Sequence, residues 1–401
     1  MKKRALAALA IGLGGLATSY GQGLLSIGNT TEDFDTDIPL TWTITGNLGY
    51  DDNPETAPNG EEDEAWYVQA GIGARYAGGS RVTRHSLGAS FSLLWYDRNL
   101  QPGNDDLFYN ARFSYTIVHK PSRRLTLSNN FYVTYEIEPD ADIGATRSRR
   151  TDQYFYGYDR FAVSYAWTRR FSTVTSVLLT GIFYDDESVE DRYSLGFGQE
   201  FRYLWTRVTT LVGEYRFLYT DFDESERDYA DHFLLVGADH AFSRVMRGTI
   251  RVGAQFRDGD DIGSRTSPFV EASLIHLINE GFSIRVFGRY GFEDSELGSY
   301  EFRESFRAGF STSYEFTPRL VGSAGLQFIH SEFQDSVIPG VSDADEDYFG
   351  IYLGLSYLVY SNVRLNAGWS YSDLDSDRDF SDGFSRDYDR NKVYLGVSAT
   401  F

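Results

Sequence analysis

Six histidines and a large surplus of carboxylates are the side chains of this 401-residue sequence that could do chemistry. Metal-assisted catalysis needs ligands at a spacing that brings them together, as in HExxH, where two imidazoles share one helix face. No such spacing occurs here. His85, His119, His232, His276 and His330 lie on separate segments, while Asp239 and His240 are neighbours, which in a strand sends them to opposite faces. The absence of cysteine excludes disulfides, thiolate zinc sites and iron–sulfur clusters. Serine, histidine and acid from different strands could still meet in a hydrolase triad, because such triads are defined by geometry and not by order. No GxSxG-type nucleophile context supports one. The expectation is no enzyme, no metal and no organic cofactor.

The acidic runs are the next candidates. Asp373, Asp375, Asp377 and Asp379 alternate like a calcium loop, but Arg378 stands where the glycine belongs and Phe384 where the distal glutamate belongs. Together with Glu61 to Glu64, Asp185 to Glu187 and Asp345 to Asp347, they read as solvated charge, with divalent-cation bridging to lipopolysaccharide as the alternative.

A different chemistry is electrostatic. Arg112, Arg202, Arg216, Arg251, Arg285, Arg289, Arg303 and Arg307 fall on the polar face of alternating segments, as do Glu200, Glu214, Asp239 and Glu271. Guanidinium groups lining a low-dielectric wall can focus anions, because the field there is poorly screened. Glu200 beside Arg202 and Glu214 beside Arg216 could equally pair off and leave only a polar wall. Arg112, Glu200, Arg202, Glu214, Arg216, Arg251, Arg285, Arg289, Arg303 and Arg307 are therefore candidates for lining a pore.

The elements that hold these residues are strands. From residue 40 the dominant pattern has period two, as in Tyr193, Leu195, Phe197, Phe201, Tyr203 and Trp205 set against Arg192, Ser194, Glu200 and Arg202. Eighteen such segments fall near 41–50, 65–77, 84–96, 106–119, 124–137, 153–168, 172–185, 191–206, 207–221, 228–242, 246–257, 267–279, 282–293, 300–316, 319–333, 346–360, 363–373 and 390–401. Many reach or pass the roughly 9–11 residues needed to cross a bilayer when tilted. Their connections alternate between tight turns, such as 120–123 and 361–362, and long acidic stretches, such as 51–64 and 138–152. A soluble sandwich has no reason to sort its connections so, whereas an outer-membrane barrel has short periplasmic turns and long external loops.

Composition agrees. Aromatics make up 16% of the chain, with 29 Tyr, 30 Phe and 6 Trp, and Trp95, Trp167, Trp205, Tyr314 and Trp369 fall toward strand ends, where amphipathic rings settle at headgroup depth. The formal charge of −21 argues against a nucleic-acid partner. Met1-Lys2-Lys3-Arg4 followed by the apolar run to Ala17 reads as a secretory signal ending at Gly21, whose removal takes the charge to −24. The organisation expected is signal 1–21, a short periplasmic segment 22–39 and a barrel 40–401: an all-β, transmembrane, antiparallel up-and-down β-barrel of about 18 strands, with both termini periplasmic.

Two resemblances follow from particular residues. Val393, Leu395, Val397, Ala399 and the terminal Phe401 share one face and resemble the C-terminal strand signal read by the outer-membrane barrel-assembly machinery. Gly49-Tyr50-Asp51-Asp52-Asn53-Pro54 resembles the opening of outer-membrane porin-type barrel families, some of them linked to exopolysaccharide export. That resemblance implies a barrel; a barrel of 16–18 strands leaves room for an aqueous channel, which makes passive diffusion of small hydrophilic solutes the first expectation and a conduit or docking barrel for surface polysaccharide the alternative. The partners it implies are outer-membrane lipid and lipopolysaccharide, the assembly machinery, and further copies of the chain or export components.

Overall fold

The computed structural model describes residues 40–401 except 101–104, 138–152, 187–188, 224–226, 260–262, 280, 296–299, 337–342 and 378–385. The signal, the segment 22–39 and the long connection 138–152 lie outside the described residues.

Eighteen strands follow one another: β1 (Leu40–Asp51), β2 (Ala65–Gly79), β3 (Thr83–Leu100), β4 (Asp105–His119), β5 (Leu125–Glu136), β6 (Tyr154–Ala166), β7 (Phe171–Tyr184), β8 (Arg192–Leu204) and β9 (Thr209–Phe222), then β10 (Tyr229–Ala241), β11 (Met246–Gly259), β12 (Gly263–Asn279), β13 (Phe282–Asp294), β14 (Tyr300–Thr317), β15 (Leu320–Ser336), β16 (Ala344–Tyr360), β17 (Val363–Ser376) and β18 (Tyr388–Thr400). Each pairs antiparallel with its neighbour in sequence, and β1 pairs with β18 from Thr43↔Thr400 to Asp51↔Lys392, so the sheet closes. Closure is what a sheet in hydrocarbon requires, since an open edge would leave backbone N–H and C=O groups unpaired. One boundary differs from expectation: Trp205 to Val208, assigned to the abutting ends of segments 191–206 and 207–221, form a turn in which Trp205 N and Thr206 N both donate to Thr209 O.

The two faces of the sheet differ as the alternation requires. Outward side chains are apolar and uncovered, with Leu395 70% and Val236 63% exposed. A continuous belt of this kind needs hydrocarbon around it. The short turns are built by one local device. In six of them a hydroxyl accepts the backbone N–H two residues on: Ser80, Ser122, Thr168, Thr206, Ser243 and Thr317 accept from Val82, Arg124, Arg170, Val208, Val245 and Arg319. Such side-chain turns set a tight reversal with two or three residues. These turns also carry Arg81, Lys120, Arg123, Arg124, Arg169, Arg170, Arg207, Arg244 and Arg319, all exposed, so the short-turn rim is basic.

The hexapeptide 49–54 is the clasp of the closing seam. Gly49 lacks a Cβ because the Tyr67 ring lies across it; a Cβ there would meet the ring at 2.2 Å. Tyr50 packs edge-on against Trp66 at 5.4 Å. Asp51 is fully buried and takes a two-pronged ion pair from Arg390 of β18, Nε at 2.8 Å and Nη2 at 2.5 Å. Asp52 accepts from the Asn391 amide at 2.9 Å, and Asn53 donates to Asp389 O at 3.0 Å. Three consecutive side chains, Asp51, Asp52 and Asn53, thus join the first strand to the last.

Candidate functional site

Every pore-lining candidate from the sequence lies on the inner face, and almost all of these arginines are engaged by carboxylates. Arg112 binds Glu136 across the β4–β5 pair, with Nε at 3.2 Å. Glu200 is fully buried, 2.5 Å from Arg202 Nη1, and Arg202 also meets Asp239. Arg251 bridges Glu214 at 3.2 Å and Asp239 at 2.8 Å, while Arg216 holds Glu214 and reaches Glu271 at 3.4 Å. Of the two outcomes open at the sequence level, mutual pairing is therefore what these side chains adopt. The pairs form because residues two apart on one strand, and residues opposite on neighbouring strands, share a face. Arg285 is half-buried nearer the short turns.

The lumen is not uniform along its axis. On β13, Ser283, Arg285 and Phe287 are half-exposed, whereas Arg289, Gly291 and Glu293 are buried; on β5 the same change occurs at Thr134 and Glu136. The interior is thus open toward the short turns and filled toward the long connections.

The filling element is the top of the β13–β14 hairpin. β12 and β13 pair only up to Val270↔Tyr290, although both strands continue. At Gly291, φ is 154° and a Cβ would meet Gln255 Oε1 and the Phe269 ring at 2.8 Å each, so only glycine allows β13 to leave its neighbour here. Beyond that point Phe292 and Phe302, which the alternation assigns to the lipid face, are 5% and 1% exposed and pack together at 4.9 Å on the inner side of the wall. The period-two pattern of β13 by itself would continue Phe292 along the lipid-facing stripe after Tyr290; the inward lean of the hairpin buries it instead.

Wall and hairpin are joined by polar side chains that the sequence reading missed. Gln255 of β11 accepts from Phe292 N at 3.0 Å, and Arg257 Nη1 donates to Glu293 O at 3.3 Å. Arg257 is also clamped on Asp231 through Nε at 2.9 Å and Nη2 at 2.7 Å, with its guanidinium 3.7 Å above the Tyr229 ring. Asp294 receives the Tyr229 hydroxyl and Arg192 Nε, the latter at 3.0 Å. Arg192, Asp231, Arg257 and Asp294 come from β8, β10, β11 and β13, so no local spacing could unite them. The one available signal was Gly291 interrupting an otherwise regular strand. Between hairpin and wall remains a cavity of about 40 Å³ lined by Arg192, Arg257, Arg289, Asp231 and Asp294 among others.

Of the residues that resemble an assembly signal, Val393, Leu395 and Val397 are exposed, Ala399 follows in phase, and Phe401 exchanges both backbone hydrogen bonds with Trp42 at 2.8 and 2.9 Å.

Residues 184–401, more than half of the chain, match the family described as Putative beta-barrel porin 2. Among solved structures, the outer membrane protein OpdK of Pseudomonas aeruginosa is similar at 11% identity, covering 90% of this chain and 99% of its own, with a TM-score of 0.48. OccK9 (OpdG) of the same organism is similar at 12% identity, covering 92% and 100%, with a TM-score of 0.48. OccK2 (OpdF) of that organism, solved in complex with glucuronate, gives 12%, 92%, 100% and 0.47. No curated protein matches the sequence.

Proposed function

The chain belongs to the family described as Putative beta-barrel porin 2, an outer-membrane β-barrel of porin type, and from that premise we propose that it is a passive, non-enzymatic channel for small hydrophilic solutes. The observation that carries this reading is the polar inner face of a closed 18-stranded sheet, a size that leaves an aqueous lumen. The lining assigned to the path is Arg112, Arg202, Arg216, Arg251, Arg285, Arg289, Arg303 and Arg307 with Glu200 and Glu214, and the narrowest part is the level of the β13–β14 hairpin top. The long acidic connections face outward, and the short basic turns and both termini face the periplasm. This orientation is supported by the sorting of connection lengths.

The test is single-channel recording of the refolded protein in a planar bilayer. Discrete ohmic steps are the expected result; a correctly folded barrel that passes no current refutes the channel. Nothing observed favours the export-conduit alternative.

A further inference from the structure

The short-turn rim collects cations that nothing else in the chain answers. Its exposed arginines and its one lysine form no ion pair with any described carboxylate. The chain carries 58 acidic residues against 37 basic ones, so these partners are missing by placement and not for want of supply. The lumen arginines take the carboxylates of the inner face, and the acidic connections lie at the opposite end of the barrel. Like charges gathered on one rim repel one another unless counter-charge is supplied from outside.

The same turns fix the depth of these charges. Four of them repeat one short pattern of aromatic ring, hydroxyl and arginine: Trp167-Thr168-Arg169, Trp205-Thr206-Arg207, Phe242-Ser243-Arg244 and, with one proline inserted, Phe316-Thr317-Pro318-Arg319. The four rings are 55%, 62%, 59% and 56% exposed in that order. Three of them pack edge-on against the outward ring two residues earlier, on Tyr165, His240 and Tyr314 at 4.7, 4.5 and 4.9 Å. The rings therefore lie on the lipid side of the wall, where amphipathic aromatics settle at headgroup depth. Each arginine follows its ring by two or three residues and so stands at the level of the lipid phosphates.

The distribution of the charge selects the partner. Basic turns recur from the β2–β3 connection to the β14–β15 connection, so they run around most of the circumference. An acidic protein docking from one side would meet a single arc of them, whereas a lipid leaflet meets them all. A guanidinium fork also matches two oxygens of a phosphate. A zwitterionic headgroup sets its own amine against that phosphate, so the net attraction falls to headgroups of net negative charge.

We propose that the short-turn rim is a binding surface for anionic phospholipids of the phosphatidylglycerol type, which it gathers around the barrel from the adjoining leaflet. By the orientation given above that leaflet is the periplasmic one; the headgroup preference itself does not depend on which way the barrel points.

The full-length folded barrel is reconstituted in phosphatidylcholine vesicles that carry the same small fraction of either brominated phosphatidylglycerol or brominated phosphatidylcholine. Quenching of tryptophan fluorescence reports which lipid is held against the wall. Phosphatidylglycerol is expected to bind more tightly at low salt, by roughly fivefold for each basic side chain its headgroup touches, and to lose that advantage near 1 M salt, where the Debye length is about 3 Å. Trp167→Phe with Trp205→Phe should remove most of the preferential quenching, which locates it at this rim. Arg169→Gln, Arg170→Gln and Arg207→Gln together should reduce the preference several-fold, the same three changes to lysine should keep it, and Asp345→Asn at the opposite end should leave it unchanged. Heat-modifiable migration on gels verifies that each variant is folded; should the triple glutamine variant fail to fold, Arg207→Gln alone carries the comparison. Equal quenching by the two lipids, or a preference that survives the glutamine changes, overturns the surface. Displacement of phosphatidylglycerol by lipopolysaccharide or by soluble polyglutamate, at a charge well below that of the phospholipid, assigns the rim to that partner and overturns the phospholipid assignment. None of these readouts needs the barrel to conduct, so a barrel without current refutes the channel and leaves the surface standing.

Discussion

Replacing Asp51 by alanine tests whether the 49–54 hexapeptide is a clasp or a functional surface. The carboxylate is fully buried and faces Arg390 with two contacts of 2.5 and 2.8 Å. Removing one partner of such a pair leaves the other charged and dry, which costs about 3–5 kcal/mol. The Asp51→Ala variant should therefore unfold at lower denaturant concentration by that amount. Asp51→Ala with Arg390→Met should recover much of the loss, because it removes both charges. Guanidinium titration of the barrel in detergent or liposomes, read by fluorescence of its six tryptophans, supplies all four corners of the cycle. An Asp51→Ala protein within about 0.5 kcal/mol of the wild type, or single and double variants whose losses simply add, refutes the clasp. A conductance change without a stability change would move the hexapeptide to the solute path instead.

Three further outcomes are expected. Gly291→Val places a branched side chain where a Cβ already comes to 2.8 Å from Gln255 and Phe269; it should push the hairpin off the wall and raise single-channel conductance, while heat-modifiable migration on gels stays that of a folded barrel. Unchanged conductance would mean that the hairpin does not limit the lumen. Deleting Phe401 removes two backbone hydrogen bonds to Trp42 and the terminal aromatic of the assembly signal; the folded fraction in outer membranes should fall several-fold, and full assembly would refute the signal. An epitope tag within 138–152 should be accessible on intact cells, and one between Ser122 and Arg123 only after permeabilisation; the reverse pattern refutes the orientation.

Much of this molecule was legible before any coordinates. Side chains alternate across a strand with a period of two, so a chain that must show one face to hydrocarbon and the other to water writes its strands into its sequence. All eighteen strands could be read from that rule, and Trp205 to Val208 escaped only because aromatic and β-branched residues continue the pattern through a turn that Thr206 and Thr209 make locally. The polar face was legible for the same reason: Arg112, Arg202, Arg216 and Arg251 share the phase of the carboxylates they pair with.

The constriction was not legible. Tyr290 and Phe292 look alike in sequence, two residues apart on one face, yet one remains on the outer side and the other is buried inside, since β13 departs from β12 between them. Only Gly291 hints at the departure. The partners of the hairpin, Arg192, Asp231, Gln255 and Arg257, lie on β8, β10 and β11, and their meeting depends on how far the closed sheet lets one hairpin lean across its own interior. Periodicity is a property of each strand alone; which strands' side chains meet across the lumen is a property of the closed barrel, and only the tertiary structure decides it.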